Sequence, residues 1–209
     1  AGAWCYPLTI MDHASRFLLA CESMASTNFK ETQQTFERVF REYGLPERIR
    51  TDNGVPFAST GRAGLSQLSI WWLRLGIIPE RIEPGRPDQN GRHERMHRTL
   101  KSTLPQPPAV AWDAQQRHFD RFVQHYNYER GHEALGQKTP AACYTRSTRV
   151  YPERLPEMGY ASHVECYLAD SSGIINRAGL RIYVGNLLSH QTIGMEMISD
   201  DVWEVIFGP

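Results

Sequence analysis

The sequence predicts an α/β domain followed by a small all-β one. Up to about residue 150, strand-like and helix-like runs alternate; after about Leu155 only short β-rich runs occur. Clusters of Gly, Pro, Asn and Asp separate the runs in both parts, and no internal repeat or low-complexity tract is present. The reading is residues 1–150 as the α/β domain and 155–209 as a compact antiparallel barrel.

Taken in order, Tyr6–Ala20 reads as two strands, Leu8-Thr9-Ile10-Met11 and Phe17-Leu18-Leu19-Ala20, around a polar break at Asp12–Arg16. Thr27 can cap a helix through Tyr43 that puts Phe29, Phe36, Val39, Phe40 and Tyr43 on one face, with Gly44 and Pro46 to stop it. Ile49-Arg50-Thr51-Asp52 is a short strand ending at Asn53-Gly54. Leu65, Leu68, Trp72 and Leu75 mark a second amphipathic helix, ended by Gly76, and Gly76-Ile77-Ile78 begins another strand. A loop from Pro84 to Gly91 leads into a helix through about Leu104, broken by Pro105, Pro107 and Pro108. Trp112 to Tyr128 is helical, with Phe119, Phe122, Val123 and Tyr126 facing inward. The barrel strands are His163–Leu168, Gly173–Asn176, Leu180–Val184, Thr192–Ile198 and Val202–Phe207.

Composition bounds the function. The 209 residues are 41% apolar, a globular composition, with no apolar run approaching the ~18 residues of a membrane span and no signal-peptide pattern. Four scattered cysteines, none in a C-x-x-C pair, favour a reducing compartment. The zero net charge argues against a nucleic-acid partner until it is resolved along the chain. Residues 1–145 hold 18 basic and 15 acidic side chains, residues 146–209 hold 5 and 8. Between Arg81 and Lys101 six cations face three carboxylates, and twenty of the 23 cations are Arg, whose planar fork suits phosphate. A basic core offset by an acidic barrel is compatible with binding nucleic acid.

Two carboxylates stand out. Asp52 ends a strand and Glu94 lies near the start of a helix, a pairing that can converge on Mg²⁺, which takes oxygen ligands and only one or two carboxylates. Two such ions about 3.5–4 Å apart can hold the attacking and leaving oxygens of a phosphoryl transfer. Arg98 and Lys101 share the helix face of Glu94 and, with Arg92 and Arg95, are candidates for phosphate contact. Asp52-Asn53-Gly54 also fits a plain turn. The same helix contains His93-Glu94-Arg95-Met96-His97, which satisfies the zinc-protease pattern H-E-x-x-H, with Glu129 or Glu133 as a distant third ligand. Arg92, Arg95 and Arg98 around the motif oppose a dication there.

Five segments in order resemble the integrase core of insertion-sequence transposases and retroviral integrases. They are Met11–Arg16, Thr51-Asp52-Asn53-Gly54, the loop Pro84–Gly91, Glu94-Arg95 with Leu100-Lys101, and Tyr126–Leu135 with Thr139-Pro140. The resemblance covers about residues 5 to 145. It implies an RNase H-like core, an SH3-like barrel after it, and a D-D-E triad using Mg²⁺ or Mn²⁺ to cleave and join double-stranded DNA at element ends and target. A homo-oligomer and a cytoplasmic, nucleoid-associated location follow from the same resemblance. Asp52 matches the second aspartate and Glu94 the glutamate. The first aspartate belongs to a strand upstream of the segment matching Tyr6–Arg16, so impaired strand transfer is expected of this chain, and Asp12 is expected to pair with Arg16 or cap its turn. The alternative is a non-catalytic DNA-binding or assembly module of a transposase.

Overall fold

The protein is described from a computed structural model, over residues 5–52, 54, 56–57, 64–83, 86–105, 109 and 111–208. The strands are β1 (Tyr6–Met11), β2 (Leu18–Met24), β3 (Arg48–Thr51), β4 (Ile78–Arg81), β5 (Glu165–Leu168), β6 (Ile174–Arg177), β7 (Leu180–Tyr183), β8 (Thr192–Ser199) and β9 (Val202–Ile206). The α-helices are α1 (Phe29–Tyr43), α2 (Gln67–Arg74), α3 (Gly91–Thr103), α4 (Trp112–Gln124) and the single turn α5 (Pro140–Cys143). The chain divides into two compact units, each made of two stretches: Ala1–Leu45 with Ile82–Val150, and Pro46–Arg81 with Tyr151–Pro209.

In the first unit β1 and β2 form an antiparallel pair with a register shift at Ile10/Met11. Asp12 caps the intervening turn: its Oδ2 accepts from the Ser15 N–H at 2.7 Å and from the Ser15 hydroxyl at 2.6 Å. Among the described residues, the far edge of β2 is closed by amide side chains rather than by a strand. Asn127 Oδ1 accepts from the Leu18 N–H at 2.8 Å while its Nδ2 donates to the Leu18 carbonyl at 2.9 Å. Gln116 of α4 repeats the device, accepting from the Ser23 N–H and donating to the Cys21 carbonyl. Edge backbone groups that would otherwise invite another strand are thereby satisfied.

Helix α1 starts one residue later than expected, capped by Asn28 rather than Thr27. Asn28 Oδ1 accepts from the Glu31 N–H, and its Nδ2 donates back to the Glu31 carboxylate, a reciprocity that Thr27 has no matching partner to make. Gly44 ends the helix at φ +82°, and a Cβ there would lie 2.6 Å from the Ser147 carbonyl oxygen, so only glycine fits where the returning chain passes. Helices α3 and α4 pack on β2 through Met96, Leu100, Phe119 and Phe122, which with Leu18, Cys21 and Tyr126 form a buried core. Burial, with Glu22 and Asp120 adding to it, pushes the Cys21 thiol up to about 12, so this cysteine is a packing group rather than a nucleophile. All four cysteines are free.

Beyond α4 the helix widens into one π turn, His125–Glu129, and consecutive Tyr126 and Asn127 are both buried there. Tyr126 meets the His132 ring edge-on at 4.7 Å, and the His132 Nε2 is buried with no hydrogen-bond partner among the described residues. Burial lowers the His132 pKa, and Arg130 and Arg16 act the same way, against a hydrogen bond to the Tyr126 backbone. His132 is therefore held neutral while the unfolded chain takes up a proton near pH ~6.5. Its contribution to stability is complete above that pH and is lost as pH falls towards the depressed folded value. Urea midpoints should drop over this window in the native chain and less in His132→Gln; equal drops would remove His132 from the account.

In the second unit β3 and β4 pair in parallel, Arg48 opposite Ile78 through Thr51 opposite Arg81, with α2 as the crossover. Glu80 binds both Arg48 at 2.9 Å and Arg50 at 3.0 Å, and its hydrogen bond from Arg48 leads in holding the carboxyl below its usual range. Helix α2 opens with a Ser66–Ser69 capping box and buries Leu68, Ser69, Ile70, Trp71 and Trp72 in one run. A helix apolar on so many sides needs cover on more than one. Trp72 stacks on Phe57, while Ile70 joins a core of Ala169, Ile175, Val184, Leu188, Ile193 and Met195.

All five β-rich runs after Leu155 are strands. They form an antiparallel sheet ordered β5-β8-β9 and a hairpin β6-β7. Arg177 of β6 clasps the two: its guanidinium lies 3.4 Å over the Trp203 ring of β9 and its Nε donates to Glu165 of β5 at 2.9 Å. Among the described residues no helix is long and apolar enough to cross a membrane.

Candidate functional site

Asp52 follows the last residue of β3. Its carboxylate is exposed, and Oδ1 accepts from the Gly54 N–H at 3.0 Å, which makes an Asx turn of the strand end. The Gly54 carbonyl in turn accepts from the Phe57 N–H, and Phe57 anchors this loop on Trp72. The strand end is thus held by a buried aromatic while the acid stays in solvent. Asn53, Pro84 and Gly85 of the sequence motifs lie outside the described residues.

Glu94 lies in the first turn of α3, where a carboxylate is favoured by the helix dipole. Met96 and Leu100 face inward and are almost fully buried, which fixes the rotation of the helix and leaves Glu94, Arg95, Arg98 and Lys101 exposed. No ion pair engages Glu94 among the described residues. Arg92 is also exposed but committed in part, since its guanidinium donates to the His13 carbonyl at 2.7 Å and ties the start of α3 to the β1–β2 turn. That leaves Arg95, Arg98 and Lys101 as the solvent-facing cations of the helix. Asp52 and Glu94 belong to different compact units. Each carries the hard oxygen donors that Mg²⁺ takes.

His93 and His97 behave differently from the protease reading. Both Nε2 atoms turn to a single oxygen, Thr9 Oγ1 of β1, at 2.8 and 2.9 Å. The rings stand 4.8 Å apart. No group of three His, Cys, Asp or Glu able to hold a metal occurs among the described residues, and Glu129, a suggested third ligand, instead pairs with His125 at 3.0 Å. The H-E-x-x-H site of a zinc protease is therefore not assembled. Three contributors were missed in the sequence. Thr9 reads as an ordinary strand residue, and Gln116 as an ordinary helix one. Asn127 had a signal, a polar residue next to inward-facing Tyr126, but its partner lies 109 positions away.

Comparison with known proteins bears on the fold. Two models, each described as integrase core domain, match residues 1–87 and 75–140, together spanning residues 1–140. The Gag-Pol polyprotein of baboon endogenous virus (strain M7) is 33% identical over 99 residues, covering 47% of this chain and 5% of that polyprotein. The Pol polyprotein of radiation murine leukemia virus (strain Kaplan) is 32% identical over 99 residues, 47% of this chain and 16% of its own length. The chain thus spans a small fraction of these relatives. Among solved structures, a chain of the simian T-cell lymphotropic virus intasome in complex with PP2A regulatory subunit B56 gamma superposes with a TM-score of 0.53 at 17% identity, over 97% of this chain and 74% of that one. The HTLV-2 integrase catalytic core domain in complex with magnesium (trimeric form) gives 0.50 at 16%, over 68% and 93%. These likenesses give the fold, the mixed α/β, RNase H-like core of retroviral integrases. Residues 1–140 are thus similar to the integrase core domain in two overlapping stretches, within a fold shared with retroviral integrase cores.

Proposed function

We propose that the protein is a transposase of the bacterial insertion-sequence kind, acting on double-stranded DNA at element ends and target by metal-dependent strand cleavage and transfer. The observation that carries the reading is the pair of exposed carboxylates at a strand end and a first helical turn, Asp52 and Glu94, within the stretch matched by the integrase core models. In this reading both bind Mg²⁺ or Mn²⁺, which when bound supplies charge for the developing oxyanions of phosphoryl transfer. Arg95, Arg98 and Lys101, with Arg92 from its tethered position, grip the phosphates that flank the scissile one. Residues 1–150 then act as the catalytic core and 155–209 as an SH3-like barrel. The acidic balance of residues 146–209 favours protein contact within a homo-oligomer for that barrel, over a hold on DNA. A cytoplasmic, nucleoid-associated location accompanies this function.

Two carboxylates hold a divalent ion weakly, and Asp12 is occupied by its own turn. The 209-residue chain is therefore expected to bind Mn²⁺ weakly and to give little strand transfer. Asp52→Asn or Glu94→Gln should each abolish the Mn²⁺ binding measured by calorimetry and any residual nicking. Robust Mg²⁺-dependent strand transfer that survives Glu94→Gln, or that is lost on Asp12→Asn, would sink this assignment of the site.

A further inference from the structure

From the Thr9–His93–His97 cluster we infer a second, chemically distinct metal site, a two-histidine chelate on α3 for a borderline transition-metal dication such as Zn²⁺. Residues four apart on a helix lie above one another on one face, so His93 and His97 can present two nitrogens to one point. In this structure they do: both Nε2 atoms lie within 2.9 Å of the Thr9 hydroxyl oxygen. That oxygen marks a vertex shared by two imidazole nitrogens, and rotation of the Thr9 side chain frees it. An ion there needs Zn–N lengths of about 2.0–2.1 Å, which a small closing movement of the two rings supplies, and water completes the coordination.

Donor chemistry separates this site from Asp52 and Glu94. Imidazole suits Zn²⁺, Cu²⁺ and Ni²⁺, whereas the hard oxygen donors suit Mg²⁺ and Mn²⁺. The basic residues nearby, Arg92, Arg95 and Arg98, weaken the site without closing it. Arg92 turns its guanidinium to the His13 carbonyl, and Arg95 lies about half a turn round the helix from both histidines. Both histidines are half-buried, open enough for an ion to enter and held enough to be pre-oriented. With two protein ligands the site is a moderate-affinity one that fills with available metal rather than a structural zinc centre. A filled site sets a dication on the same helix turn as Glu94, and so gives the acidic residue a metal-responsive neighbour.

The test is titration of the 209-residue chain with Co²⁺, followed by its visible absorption, and with Zn²⁺ by calorimetry. One ion per chain is expected, with affinity falling about tenfold or more in His93→Gln and again in His97→Gln. Glu94→Gln should leave Co²⁺ binding in place, which separates this site from the proposed DNA-processing one. In the unsubstituted chain, Zn²⁺ should also shield His93 and His97, and not His118 or His163, from diethyl pyrocarbonate as mapped by mass spectrometry. Absence of Co²⁺ binding, binding unchanged in the double His→Gln variant, or no selective shielding would each overturn the inference.

Discussion

Asn127→Ala is expected to cost about 3 kcal/mol of folding stability, a large part of what a domain of this kind possesses. Asn127 is 1% exposed, and its amide is the partner of both the N–H and the carbonyl of Leu18, itself 1% exposed. Truncation leaves two backbone groups in an apolar core, each costing about 1–3 kcal/mol when unsatisfied. No water has easy entry, because Phe119, Phe122 and Tyr126 belong to the same buried cluster as Leu18. Asn127→Asp tests the geometry separately. The acid can still accept from the Leu18 N–H but cannot donate to the carbonyl, and burial disfavours its charge, so it should be at least as damaging near neutral pH. Urea unfolding followed by circular dichroism measures both. A midpoint for Asn127→Ala equal to that of the parent would mean that Leu18 finds another partner and that the amide clamp is incidental.

Gly173→Ala should be more severe in the second unit. Gly173 has φ +70°, where an L side chain is strained, and its Cβ would sit 2.1 Å from the Gly185 carbonyl oxygen and 2.5 Å from its carbon. Those atoms cannot easily withdraw, because the Gly173 carbonyl accepts from the Val184 and Gly185 N–H groups at 2.9 and 3.3 Å. Backbone must move against backbone, at the point where the loop after β7 closes on the start of β6. The expected loss is over about 4 kcal/mol, the range reserved for overpacking and special-φ sites. Loss of slow hydrogen exchange at the buried Ile175 and Ile193 amides should report it. Native-like protection there would show that the turn has a second conformation open to it.

These two positions also show what a sequence conveys and what it withholds. The five strands after Leu155 were legible because each combines β-branched or aromatic residues with turn residues at its ends, a local signal. The stops at Gly44 and Gly76 were legible for the same reason. Helix α1 began one residue away from expectation because Thr27 and Asn28 are both good caps, and only the reciprocal contact with Glu31 chooses between them. The clamps by Asn127 and Gln116 were illegible because their value lies in partners 109 and about 95 positions away. Asp52 and Glu94 were picked out by motif, and local structure adds a reason for each position, an Asx turn and a helix dipole. The histidine pair had a pattern that fitted a protease, yet Thr9 of a different strand decides where both rings point.

The interleaved make-up of the units has a consequence for how the chain is born. Ile70 and Leu65 pack with residues from Tyr167 to Phe207. During synthesis, Pro46–Arg81 leaves the ribosome well before Tyr151–Pro209, the stretch that completes its unit. At typical elongation rates the wait for the whole of that stretch is roughly 6 to 26 seconds. For that time Ile70 lacks the partners it packs against in the later stretch. Premature termination before β5 would release a polypeptide in which Ile70 has none of the partners it holds between Ala169 and Met195.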